Sequence, residues 1–119
     1  MKIAFATSDN ETIDQHFAQA NQFAVWEIAS DQASFSGLEE IEATDDNVDD
    51  KINARLKVLG DCTIIYVTQI GGPAAARLVA NKIHPVKSKG EEKIEDVVDK
   101  LQQVLKNNPP PWLRRAMNK

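Results

Sequence analysis

Histidine and cysteine carry most proton-transfer and soft-metal chemistry near neutral pH, and this chain of 119 residues has two of the first and one of the second. A lone cysteine closes no internal disulfide, completes no four-thiolate zinc site and cannot hold an iron–sulfur cluster by the usual set of thiolates. A metal centre bound here must bring most of its own ligands. Long apolar runs are equally scarce. No stretch approaches the roughly 18 residues of a membrane span, and no charged segment followed by an apolar one opens the chain. We therefore expect a soluble, cytoplasmic protein with no membrane partner. Neither Gly-x-Ser-x-Gly nor Gly-x-x-x-x-Gly-Lys-Ser/Thr occurs, which removes the nucleophile elbow of hydrolases and the phosphate loop of nucleotide hydrolysis.

Positive charge is also in short supply. With 14 Lys and Arg against 18 Asp and Glu, the net charge is −4, and the basic footprint that a nucleic-acid ligand needs is missing. The deficit is uneven. Residues 1–61 hold 13 acids against 4 bases, net −9, and residues 62–119 hold 5 against 10, net +5. The second half thus suits an anionic ligand locally.

What the chain does have is 42% hydrophobic residues, enough for one core in a chain of this length. Apolar and β-branched runs at Lys2–Thr7, Gln22–Ala29 and the more polar Ala33–Ile41 predict three strands with short joins, an antiparallel meander. Val48, Ile52, Leu56 and Leu59 recur at helical spacing, with Gly60 as the stop. The acids Asp45, Asp46, Asp49 and Asp50 read as a solvated loop and helix start, with cation binding as the alternative, and Asp49 and Asp50 suit the positive end of the helix dipole. Cys62–Thr68 predicts a strand buried on both faces, Ala74–Asn81 a short helix with Pro73 in its first turn, Ile83–Lys87 a brief strand, and Glu91–Lys106 a long amphipathic helix. Three consecutive prolines, 109–111, stop that helix from continuing. We place one α/β domain at residues 1–106 and a Pro-rich C-terminal tail at 107–119. Numbering the predicted strands along the chain, right-handed crossovers give a mixed five-stranded sheet of order 3-2-1-4-5, flanked by helices.

In open α/β sheets ligands bind beyond the carboxyl ends of the strands, where connections diverge to opposite faces. Here that point falls between the first and fourth predicted strands. It brings the polar loop Ser8–Phe17, which carries His16, beside Gly71 and Gly72 at a helix start. An imidazole and free backbone N–H groups would then share one crevice. Each candidate also has a plainer role. His16 can cap its own loop on Asp14 or a carbonyl, Cys62 can be a buried small hydrophobe, His84 before Pro85 a fixed edge-strand side chain, and the two glycines a tight turn. The Trp112-Leu113-Arg114-Arg115 segment either folds back on the core or docks a partner. No catalytic constellation emerges, and a metal-dependent nuclease would have only Asp9 at a strand end.

The start Lys2-Ile3-Ala4-Phe5-Ala6-Thr7-Ser8-Asp9, the loop Ile13-Asp14-Gln15-His16-Phe17, the run from Asp61-Cys62 to Ile70-Gly71-Gly72-Pro73-Ala74-Ala75-Ala76-Arg77-Leu78, Ile83-His84-Pro85-Val86-Lys87 and Pro109-Pro110-Pro111-Trp112-Leu113-Arg114 together resemble the dinitrogenase iron–molybdenum cofactor biosynthesis family. That family comprises NifX-type carriers, the NafY core domain and the carboxyl-terminal domain of NifB. The resemblance covers nearly the whole chain and implies a ribonuclease-H-like α/β fold. It also implies a non-catalytic carrier of the iron–molybdenum cofactor or its iron–sulfur precursor, working with a NifB-type synthase and a cofactor scaffold. The family's cluster-binding histidine, in an Asp-x-His-Phe-Gly loop, maps onto His16. Here Ala18 replaces the glycine, which predicts a loop with less access to positive φ. A preassembled cluster already bridges its metals with sulfide, so one or two protein ligands with anion-binding backbone suffice. The runner-up roles are an interaction module of nitrogenase assembly acting through Trp112, Arg114 and Arg115, and a nuclease on the ribonuclease-H-like fold.

Overall fold

A computed structural model describes residues 1–42 and 47–117. The predicted features at Asp45 and Asp46 lie outside the described residues. Strands β1 (Lys2–Ala6), β3 (Gln22–Ile28), β4 (Ala33–Glu40), β5 (Ile64–Val67) and β6 (His84–Lys87) form the main sheet. Its order is β4-β3-β1-β5-β6, antiparallel from β4 to β1 and parallel from β1 to β6. This is the mixed order predicted from the crossovers. Two further strands, β2 (Thr12–Ile13) and β7 (Glu92–Lys93), make a separate antiparallel pair. No helix among the described residues is long and apolar enough to cross a membrane.

Helices α1 (Val48–Leu59) and α2 (Gly72–Ala80) cover one face of the sheet; α3 (Ile94–Asn107) and the short α4 (Pro111–Met117) cover the other. Strand periodicity decides which side chain meets which layer. Ala4, Ala6, Ile65 and Val67 face α1 and α2, whereas Ile3, Phe5, Ile64 and Tyr66 face α3. A fully buried Ile or Phe contributes about 1.5–3 kcal/mol by transfer from water. A surface ion pair such as Lys2 with Asp61, 2.6 Å apart, contributes about 0–1 kcal/mol. The two apolar layers therefore hold the fold, and its ion pairs trim it.

Local contacts set the helix starts, the first where the sequence reading put it and the next two shifted from it. Helix α1 starts at Val48 because the Asn47 side chain accepts hydrogen bonds from the Asp49 and Asp50 N–H groups. Helix α2 starts at Gly72, two residues earlier than predicted, and α3 at Ile94, three residues later, because Glu92 and Lys93 pair with β2. The chain beyond residue 106 returns to the domain. Pro111 fits a first helical turn, and α4 sets Leu113, 1% exposed, into the layer beneath α3.

Candidate functional site

Backbone bonds bring the loop that follows β1 against the segment that follows β5. After β1 the chain turns on Asp9, whose carboxylate accepts from the N–H groups of Glu11 and Thr12, both at 2.9 Å, and from the Thr7 hydroxyl at 3.1 Å. The two backbone bonds chiefly hold its pKa below the ordinary carboxylate value. The β2 and β7 pair fastens the tip of the loop. On the returning limb, Thr68 N–H donates to the Gln15 carbonyl at 2.9 Å and Phe17 N–H to the Gln69 carbonyl at 2.8 Å. His16 is thus held between two bonds to the end of β5, with its side chain exposed.

The capping role open to His16 falls to Ser8 instead. Its N–H donates to one Asp14 oxygen at 2.9 Å and its hydroxyl to the other. Among the described residues, the His16 imidazole makes no hydrogen bond. Two residues after Gln69 comes Gly71, the N-cap of α2, which has no side-chain cap. Gly71 has φ −74 and a Cβ on Gly72 would meet nothing within 4 Å, so neither glycine is demanded by its backbone. Their effect is to leave this helix start bare, with N–H groups open to an anion. His16, Gly71 and Gly72 therefore share one edge of the fold. Ser88 and Lys89 flank it, since Ser88 N–H bonds the Val67 carbonyl at 2.7 Å.

One residue that sequence reasoning missed holds the other side of the loop. Arg55, 5% exposed on α1, donates through Nε to the Phe17 carbonyl at 2.5 Å. Its Nη2 donates to the carbonyls of Ala18 and Ala20, each at 2.9 Å, and its Nη1 to that of Lys51 at 3.0 Å. Its charge lies 5.7 Å from the Phe17 ring centroid. Burial lowers its pKa, yet a guanidinium stays charged inside proteins. Hydrogen bonds to a charged group contribute roughly 1.5–3 kcal/mol each. Together these offset the several kcal/mol of removing a cation from water. A signal was present: Ile52, Arg55 and Leu59 are buried on α1 at spacings of three and four, a stripe that the eye assigns to Leu56. Ala18 is absent from the residues with positive φ, so the loop makes no use there of the conformation that alanine disfavours, and alanine serves without strain.

The other candidates lie at the opposite end of the sheet. His84 is level with Ile64, whereas Gln15 is level with Thr68; four residues of strand are about 13 Å. Cys62 is buried still further from His16. The His84 ring stacks on Trp112, with centroids 4.2 Å apart and planes at 17°, and desolvation lowers its pKa. Trp112 and Arg115 line an open cavity of about 470 Å³ with Val79, Lys82, Ile83, His84 and Ala116. Arg114 bonds the Asn108 side chain. Asp9, where a nuclease would place its metal, is engaged by its own turn, and no group of three or more His, Cys, Asp or Glu side chains suited to a metal ion occurs among the described residues.

Comparison with known proteins agrees with this architecture. Residues 1–104 match the family described as "Dinitrogenase iron-molybdenum cofactor". The protein NifX of Herbaspirillum seropedicae is 44% identical, across 100% of this chain and 83% of that one. NifX of Rhodobacter capsulatus is 37% identical over 98% and 77%, and NifY of Azotobacter vinelandii 33% over 98% and 48%. Among solved structures, PH0822 superposes with a TM-score of 0.65 at 19% identity, covering 95% of this chain and 98% of that one. A putative dinitrogenase from Methanocaldococcus jannaschii gives 0.61 at 14%, covering 88% and 90%. Both share the fold. The chain belongs to the dinitrogenase iron–molybdenum cofactor family.

Proposed function

We propose that this protein is a non-catalytic carrier in nitrogenase cofactor biosynthesis, taking the iron–molybdenum cofactor or its iron–sulfur precursor as cargo. The observation that supports this most directly is the geometry of His16. Its backbone is bonded on both sides, its imidazole is exposed, and the bare start of α2 lies alongside. One imidazole can ligate an iron of a cluster whose other bonds are already made. The N–H groups near Gly71 and Gly72 can donate to its negatively charged surface. A single protein bond suits release to a NifB-type synthase's downstream partner or to a cofactor scaffold. Anaerobic titration with the isolated precursor tests the assignment. His16→Ala is expected to weaken binding about tenfold or more, the loss of the one protein bond to iron; unchanged affinity and spectrum would remove His16 from the site.

The α4 face supports a second role, docking a partner of cofactor assembly through Trp112, Arg114 and Arg115. The cavity beside Trp112 carries Lys82 and Arg115 on its lining and, among the described residues, no carboxylate, which suits an acidic surface. Removing the tail would also unpack Leu113, so charge reversal is the cleaner probe. Arg114→Glu with Arg115→Glu is expected to weaken capture of the scaffold about tenfold, with cargo affinity unchanged; intact capture would exclude this face.

A further inference from the structure

We propose that Arg55 is the positioning residue of the cargo site, an inference that rests on the carrier reading of His16. The turn after His16 brings three carbonyls, from Phe17, Ala18 and Ala20, toward one buried point. Carbonyl dipoles aimed at a common point repel, and a neutral side chain offers too few donors to gather them. The planar fork of a guanidinium has enough. The hydrogen bonds that Arg55 makes among the described residues all go to backbone carbonyls, and one of them, to Lys51, returns to its own helix. The side chain therefore joins the His16 loop to α1 as the Thr68 and Gln69 bonds join it to β5.

The consequence is specific to a carrier with one protein ligand. A site of several ligands orients its metal by their number; a lone imidazole has only the rigidity of its mount. If the turn were loose, each binding event would carry the cost of ordering it. Arg55 touches no cargo in this scheme. It acts by holding Phe17 through Ala20, and so the place from which His16 reaches out.

The test compares Arg55→Met and Arg55→Lys with the wild-type chain in two ways. Amide hydrogen exchange is read at residues 16–20 with no cargo present. Anaerobic binding is read with a synthetic thiolate-capped four-iron cluster as probe, in both the His16 and the His16→Ala background. Arg55→Met is expected to speed exchange at residues 16–20 about tenfold or more while β1 and β5 stay protected. It should weaken the probe about tenfold when His16 is present and less than about twofold when it is not, the non-additivity of residues that act as a unit. Arg55→Lys, which keeps the charge but fewer donors, should fall between, and it carries the comparison if the methionine variant does not fold. Unchanged exchange, or equal loss of affinity in both backgrounds, would overturn the proposal. If His16→Ala bound the probe like wild type, His16 would be removed from the site and the cargo role of Arg55 would fall with it. The exchange result, obtained without cargo, would still report the clamp separately.

Discussion

At the residue scale, the site depends on what stands next to His16 as much as on His16 itself. Phe17 is 1% exposed and anchors the loop in the core, while Ala18 presents its carbonyl to Arg55 at 2.9 Å. Because Ala18 keeps negative φ, restoring glycine there relieves no strain and frees the unfolded chain. Ala18→Gly should lower stability by about 0.4–1 kcal/mol and leave cargo affinity unchanged. Denaturant midpoints check this, and a stabilised variant would show that alanine is strained. Little of this was legible in the sequence. His16 stood out as one of two histidines, but a buried arginine that pairs with carbonyls leaves only a polar letter in an apolar stripe. Its acceptors on the loop lie 35 to 38 residues away.

At the element scale, β2 and β7 fasten the site loop, and carboxylates fasten the turns around them. Glu92 accepts from the Ser88 hydroxyl at 2.9 Å and the Lys89 N–H at 3.1 Å. The Ser88 bond first, then the Lys89 bond, holds its pKa below the ordinary value. Asp9 is lowered in the same direction by its own turn. A carboxylate lowered in the folded state stabilises above its unfolded pKa, and that contribution disappears as pH falls through the folded value. The β2 and β7 pair should therefore be fully formed at neutral pH and lose exchange protection below about pH 4, ahead of the main sheet. Amide exchange across an acid series measures this, and simultaneous loss in both sheets would contradict it. Both strands are two residues long, too short for any period to show. The amphipathic stripe of α3 and the continuous apolar run of β5 were readable because each repeats its signal several times.

At the scale of the whole molecule, connectivity alone was enough to order the sheet. Joins without a helix made the first three main strands a meander, although the first of these joins is the long site loop with β2 inside it, and helical crossovers made the rest parallel. Which end of that sheet each feature occupies followed from register, and register needs coordinates: nothing in sequence spacing says that His84 lies level with Ile64 rather than with Thr68. The fate of the last residues was equally hidden. Three prolines announced that α3 ends, but Leu113 reaches the core only because a new helix begins on the third of them.

The separation of about 13 Å along the strands between His16 and the His84–Trp112 stack bears on kinetics. A partner held at the α4 face would leave the His16 edge uncovered, so tethering would raise the acceptor's effective concentration toward the millimolar range of short linkers without touching the bond it must break. Delivery would then accelerate through encounter frequency while the intrinsic off-rate stays that of the isolated carrier. Such a protein speeds transfer by keeping the recipient close, and its cargo is no looser for being near its destination.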